Sequence, residues 1–301
     1  SKIVNIPAAE MSTPADSSDV MIPADDAYFQ FINNNILDTS RFFDESVRGY
    51  AEAQMATAFN NHKKEVIERI SSELRDESDH PLSELSDEYV AYMAYILEYL
   101  SKSEVGIVDQ SAIDVYGESF LSWKNDSISL KDYLYAGISE GWVNAGKLQA
   151  ESNESYRNAD YIFEEIAKLI VNDLQDDAGF DKLIYKYMLI AKNGVTGRLL
   201  CMALYEQGVL DYDDASYQAL MNGGEDNAFA FLISKIRSIE ITPAQLALDP
   251  CMGSVVITDV KTGDVKALVS YPGYDNNKIN DNSYFAECLN NQSLPLINSA
   301  T

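Results

Sequence analysis

The chain has 301 residues, of which 46% are hydrophobic, and a formal net charge of −26. That length and apolar content suffice for one large or two medium cores. The acidic excess argues against nucleic acid, because little basic surface is available to neutralise phosphate, and against docking on an anionic membrane.

In chain order, the entry region Ile3 to Asp26 holds three prolines and a run of small and acidic residues, and reads as a tether or strap without a core of its own. Helical spacing begins with Tyr28, Phe31, Ile32, Ile36 and Leu37, with Asp25 or Asp26 as the expected cap. A second helical stretch is expected from about Ser40 to Glu77, closed by His80-Pro81, and a third from near Ser83 with an apolar stripe through Tyr89, Met93, Ile96, Leu97 and Leu100. This is also the longest apolar run, but Glu98 interrupts it and it is too short to span a bilayer. Gly106 to Ser127 is the least regular stretch and a candidate boundary. Further helices are predicted at Leu130–Glu140, Tyr156–Gln175, Phe180–Ala191, Thr196–Gln207, Asp213–Met221 and Asn227–Ser238. Thr196 and Asp226 are the expected N-caps, and Gly208 the expected stop.

The periodicity then changes. Ser254–Asp259 and Val265–Ser270 are short β-branched runs with alternating apolar positions, joined by Val260-Lys261-Thr262-Gly263. Gly263 can supply a positive φ, so the pattern predicts a hairpin, closed by Pro272-Gly273. The expected fold class is α+β and predominantly helical. The expected segments are a strap (1–26), an N-terminal helical region (27–106), a helical lead-in (107–241) and a final segment (242–301).

Few side chains in the helical part suggest chemistry. Glu164-Glu165 and Asp176-Asp177 are adjacent pairs, which point apart on a helix and read as solvated faces rather than a general acid/base couple. Asp211, Asp213 and Asp214 lack the glycine and terminal glutamate of a calcium loop. Tyr89, Tyr92, Tyr95 and Tyr99 read as interhelical packing before a glycan-stacking platform. His62 and His80 lie in polar surroundings. Cys201, Cys251 and Cys288 make neither a zinc pattern nor a disulfide framework, and burial is expected for at least two of them. No catalytic, cofactor-binding or metal-ligating residue is therefore assigned, and no cofactor is expected.

The C-terminal string carries a resemblance. Gly253 to Val256, Asp259 to Gly263, Ser270-Tyr271-Pro272, Tyr274 to Asn277 and Pro295 to Thr301 follow the order and spacing found in penicillin-binding transpeptidases, ahead of their catalytic Ser-x-x-Lys. Ser299 departs from the arginine usual there. Over Ser129 to Gln245, the stretches LKDYLYAGISEGWV, FDKLIYKYM, GVTGRLLCMALYEQGVL and IRSIEITPAQLALDP resemble the helical lead-in of monofunctional (class B) penicillin-binding proteins of clostridial type. No glycosyltransferase motif is seen.

The resemblance implies that residues 242–301 open a transpeptidase domain, with Ile241 to Ala247 as its entry helix. The hairpin would be the first of that domain's sheet. The parent would crosslink peptidoglycan stem peptides, be acylated by β-lactams, and work at the extracellular face of the membrane through an anchor preceding this chain. Division or elongation proteins are possible partners. No lysine follows a serine by three positions and no asparagine follows one by two, so the Ser-x-x-Lys and Ser-x-Asn motifs are absent. Lys261-Thr262-Gly263 has the composition of the third motif, but it precedes any nucleophile. The chain as given is thus expected to be inactive, with the acylated serine shortly after Thr301, hairpin edges exposed, and non-native order after about Asn276. Two alternatives stand beside this reading: a non-catalytic helical binding or assembly module of a cell-wall protein, and a β-lactam sensor or β-lactamase on the same fold.

Overall fold

A computed structural model describes residues 3–6, 20–75, 80–148, 158–246 and 253–271. Among these the fold is predominantly helical α+β, with ten α-helices and two separate two-stranded antiparallel sheets. None of the described helices is long and apolar enough to cross a membrane. The chain divides into two compact units, one formed by residues 1–53 together with 196–301, the other by residues 54–195.

In the first unit, β1 (Ile3–Ile6) pairs with β2 (Val20–Pro23), a ladder that the proline-rich entry sequence did not announce. β2 runs directly into α1 (Ala24–Asn33). Pro23 occupies the N-cap without a side-chain bond, so the expectation that Asp25 or Asp26 caps the helix is corrected: both lie in its first turn, where the helix dipole favours them. Asn35 adopts φ 53° and ends the helix before Ile36. Leu37 is nonetheless buried, because the chain folds back and its N–H donates to Phe31 O at 2.8 Å.

The helix expected from Ser40 is also corrected. Thr39–Phe43 is a 3-10 turn, and α2 (Tyr50–Arg75) starts only at Tyr50. Asp38 and Asp44 accept from the N–H groups of Ser40 and Ser46, at 2.9 Å each, and these local bonds hold the backbone out of the α-helix.

The centre of this unit is α8 (Gly197–Glu206), buried at almost every position and packed by α1, α9 (Asp214–Asn222) and α10 (Glu225–Arg237). Thr196 caps α8 by accepting from Leu199 N, and Gly208, at φ 70°, follows its end, both as the sequence predicts. Gly197 is required by close approach, since a Cβ there would lie 2.3 Å from the Tyr28 ring. At α10 the cap is Gly224, whose N–H donates to Asn227 Oδ1, and not Asp226. Cys201 is fully buried, whereas Cys251 and Cys288 lie outside the described residues.

The second unit takes the rest of α2 with α3 (Asp87–Ser101), α4 (Glu118–Lys124), α5 (Leu130–Glu140), α6 (Ala159–Asp173) and α7 (Ala178–Ala191). α3 starts later than the sequence suggested, after a 3-10 turn at Leu82–Glu84, and α4 lies inside the stretch Gly106 to Ser127 read as irregular. α5 has the predicted limits, with Ser129 accepting from Asp132 N at 3.0 Å. Aromatic contacts build the core: Phe59 stacks on Tyr185 at 4.2 Å, and Tyr133 lies 4.9 Å from both Trp123 and the buried Trp142. The tyrosine stripe of α3 packs as expected. Tyr92 meets Tyr89, Phe180 and Tyr187 edge-on, while Tyr95 and Tyr99 donate to Asp177 and Asp173.

The expected hairpin is present in the first unit. β3 (Gly253–Thr258) pairs with β4 (Val265–Tyr271) in register Ser254↔Ser270, and Gly263 has φ 76°. The two strands pair only with each other among the described residues, and Val256, Ile257 and Val265 are all exposed. The stretches Tyr274 to Asn277 and Pro295 to Thr301, with the order expected to fail after Asn276, lie outside the described residues.

Candidate functional site

Two polar constellations stand out, one buried and one open. The buried one surrounds the N-terminus of α2. Glu206, at the end of α8, accepts from Ala51 N (2.9 Å), Glu52 N (3.1 Å) and the Tyr217 hydroxyl (2.6 Å). A carboxylate on free N–H groups at a helix start is stabilised by both hydrogen bonding and the dipole. Gly49 makes room for it, because a Cβ there would meet Glu206 Cδ at 2.2 Å.

Glu52, fully buried, accepts from Gly49 N (2.6 Å) and Gln207 Nε2 (2.8 Å). Arg41 Nε lies 3.4 Å from Glu52 Oε1, a charge contact without the alignment of a hydrogen bond, and Arg41 Nη2 donates to Glu206 O at 2.9 Å. Burial, and then the bond to Glu206, push the Tyr217 hydroxyl well above its ordinary range. The two carboxylates converge as an acid/base couple would, yet donors of the chain itself occupy both. The cluster joins residues 38–53 to residues 206–217 through the chain's own donors, which suits a structural role.

The open constellation is a groove of about 960 Å³ in the second unit. One wall is a single face of α6, presenting Tyr161, Glu165, Lys168, Leu169, Asn172 and Asp173. These positions recur at helical spacing over roughly 18 Å of helix. The opposite wall comes from Tyr99 at the end of α3, the turn carrying Glu104 and Ile107, and Lys147-Leu148. Ile107 and Leu148 are buried and give the groove its apolar base.

Some of the charges in the groove are matched locally. Lys168 Nζ bonds Glu165 at 2.9 Å, Asp173 accepts from Tyr99 OH at 2.7 Å, and Lys102 Nζ sits 5.3 Å from the Tyr99 ring centroid. The Tyr99 hydroxyl is raised far above its ordinary range, first by burial and then by its bond to Asp173. Glu104 is held below the usual carboxylate range by backbone and Ser103 hydrogen bonds. Sequence spacing did not single out this groove; the α6 stripe was legible only as an ordinary amphipathic helix.

The remaining residues weighed for chemistry are dispersed. Lys261 to Gly263 form the exposed tip of the β3–β4 turn, where Asp259 accepts from Lys261 N and Thr262 N. Glu164 lies 3.4 Å from Arg75, and Asp177 caps α7. Asp213 caps α9, accepting from Ser216. His62 Nε2 lies 2.9 Å from Glu88, and His80 Nδ1 lies 3.1 Å from Glu73. Among the described residues, no group of three or more His, Cys, Asp or Glu is placed to hold a metal ion. No protein-family model, curated protein or solved structure matches the chain.

Proposed function

We propose that the chain is part of a peptidoglycan-crosslinking D,D-transpeptidase of the monofunctional penicillin-binding type. It would comprise the helical lead-in and the opening hairpin of the catalytic domain. One observation supports this above others: β3 and β4, with the Gly263 turn, stand where the motif string from Gly253 to Thr301 requires the first hairpin of that sheet. Their exposed apolar faces suit strands that further strands and helices would cover.

On this reading the acylated serine lies C-terminal to Thr301, because neither Ser-x-x-Lys nor Ser-x-Asn occurs within the chain. The helical part then carries and spaces the catalytic domain at the extracellular face of the membrane. A helical binding or assembly module is the second reading, favoured by the open groove on α6.

Fluorescent penicillin distinguishes the two when this chain is compared with one prolonged along its reading frame. Labelling of the longer chain alone, mapped to a serine shortly after Thr301, supports the transpeptidase. Absence of labelling from both sinks it and leaves the binding module. Rapid turnover of the penicillin would instead mark a β-lactamase.

A further inference from the structure

We propose that the groove along α6 is a binding site for an uncharged oligosaccharide. Its volume, about 960 Å³, falls at the upper end of the range that holds small ligands, and its length along α6 suits an extended chain rather than a single compact molecule. Its charge is the second observation. In a chain of net charge −26, the groove carries three carboxylates, Glu104, Glu165 and Asp173, against two ammonium groups, Lys147 and Lys168.

Of the carboxylates, Glu165 is engaged by Lys168 and Asp173 by the Tyr99 hydroxyl. A strongly anionic ligand would meet the carboxylates, and a strongly cationic one would meet the lysines. A ligand rich in hydroxyl and amide groups can instead donate to the carboxylates and accept from the ammonium groups. The apolar content points the same way. Tyr99 and Tyr161 bring rigid rings with polar tips, and the half-buried Leu169 adds aliphatic surface above the buried Ile107 and Leu148. Aromatic and aliphatic side chains set beside polar ones suit the alternating C–H faces and hydroxyl edges of sugar rings.

Binding at this site does not depend on the transpeptidase reading, and penicillin labelling and saccharide titration report on different residues. The test is a titration of the full 301-residue chain with tetra-N-acetylchitotetraose and with cellotetraose, followed by isothermal calorimetry and amide chemical shifts. Expected is saturable binding of at least one of them, with shifts centred on residues 161–173. Tyr161→Ala and Asn172→Ala should each weaken it about tenfold while thermal unfolding stays unchanged. Tyr116→Ala, at an 87% exposed position outside the groove, should leave binding intact.

No saturation by about 10 mM of either sugar would overturn the assignment. So would binding indifferent to both groove variants, or saturable binding of an uncharged peptide in place of the sugars. Binding that emerges only when residues 149–157 are exchanged for a Gly-Ser linker would overturn it too, by giving the groove to the chain's own segment.

Discussion

Glu52 shows how much one buried charge can organise. Its carboxylate satisfies a backbone N–H and a side-chain amide, and faces a guanidinium that is itself only partly exposed. Truncating such a group strands its partners, which costs far more than the net worth of the pair. Glu52→Ala should lower the unfolding free energy of the first unit by about 3 kcal/mol in urea titrations followed by circular dichroism. Glu52→Gln, which keeps an acceptor for Gly49 N, should lower it by about 1 kcal/mol. Equal losses would mean that the charge matters here, not the volume.

Ile239 is the opposite case. It is exposed, β-branched and held at φ 61°, a conformation that crowds its Cβ against the following carbonyl. Ile239→Gly should therefore stabilise the chain by about 1 kcal/mol, the relief outweighing the added freedom of the unfolded state. A destabilised variant would show that the residue's packing outweighs its strain.

Between elements, α2 and α3 are joined through the half-buried Glu88, which lies 2.9 Å from His62 Nε2 and accepts from Tyr92 OH at 2.7 Å. The contact with His62 is the main reason its carboxyl sits below the usual range. A carboxylate depressed in the folded state adds stability above its unfolded value and loses it as pH falls through the folded one. The stability gap between the native chain and Glu88→Gln should thus be widest near neutral pH and close below about pH 4. A gap that persists at pH 3 would assign the effect to packing.

Elements with strong periodicity were legible in the sequence. α5, α7, α8 and the β3–β4 hairpin fall where apolar spacing, Thr196, Gly208 and Gly263 put them. Elements decided by local side-chain bonds were not. The Asx turns at Asp38 and Asp44 postponed α2, and β1–β2 rests on backbone pairing between short segments with no turn signature. The groove escaped for a related reason. Its α6 wall is a regular stripe, and only the tertiary placement of Tyr99 and Lys147 beside it makes a groove among the described residues.

For the whole molecule, the dominant electrostatic fact is 48 acidic residues against 22 basic ones. Self-repulsion of this size opposes compaction and is screened by salt. The melting temperature should rise by several degrees between low ionic strength and about 0.5 M sodium chloride. A flat response would mean that local pairs such as Lys63–Asp181 and Arg75–Glu164 already cancel most of the field.

The first compact unit is assembled from both ends of the chain, with α1 lying against α8 more than 160 residues later. Translation meets these pieces in an awkward order. Residues 54–195 emerge as a contiguous set and can close their core on leaving the ribosome, since domains generally fold as units during synthesis. The segment that precedes residue 54 must wait for α8, and until then Tyr28, Phe31, Leu37 and Phe42 have no core to enter. The segment 20–53, though made before residues 54–195, is therefore completed after them, and it is the stretch most in need of a chaperone's cover.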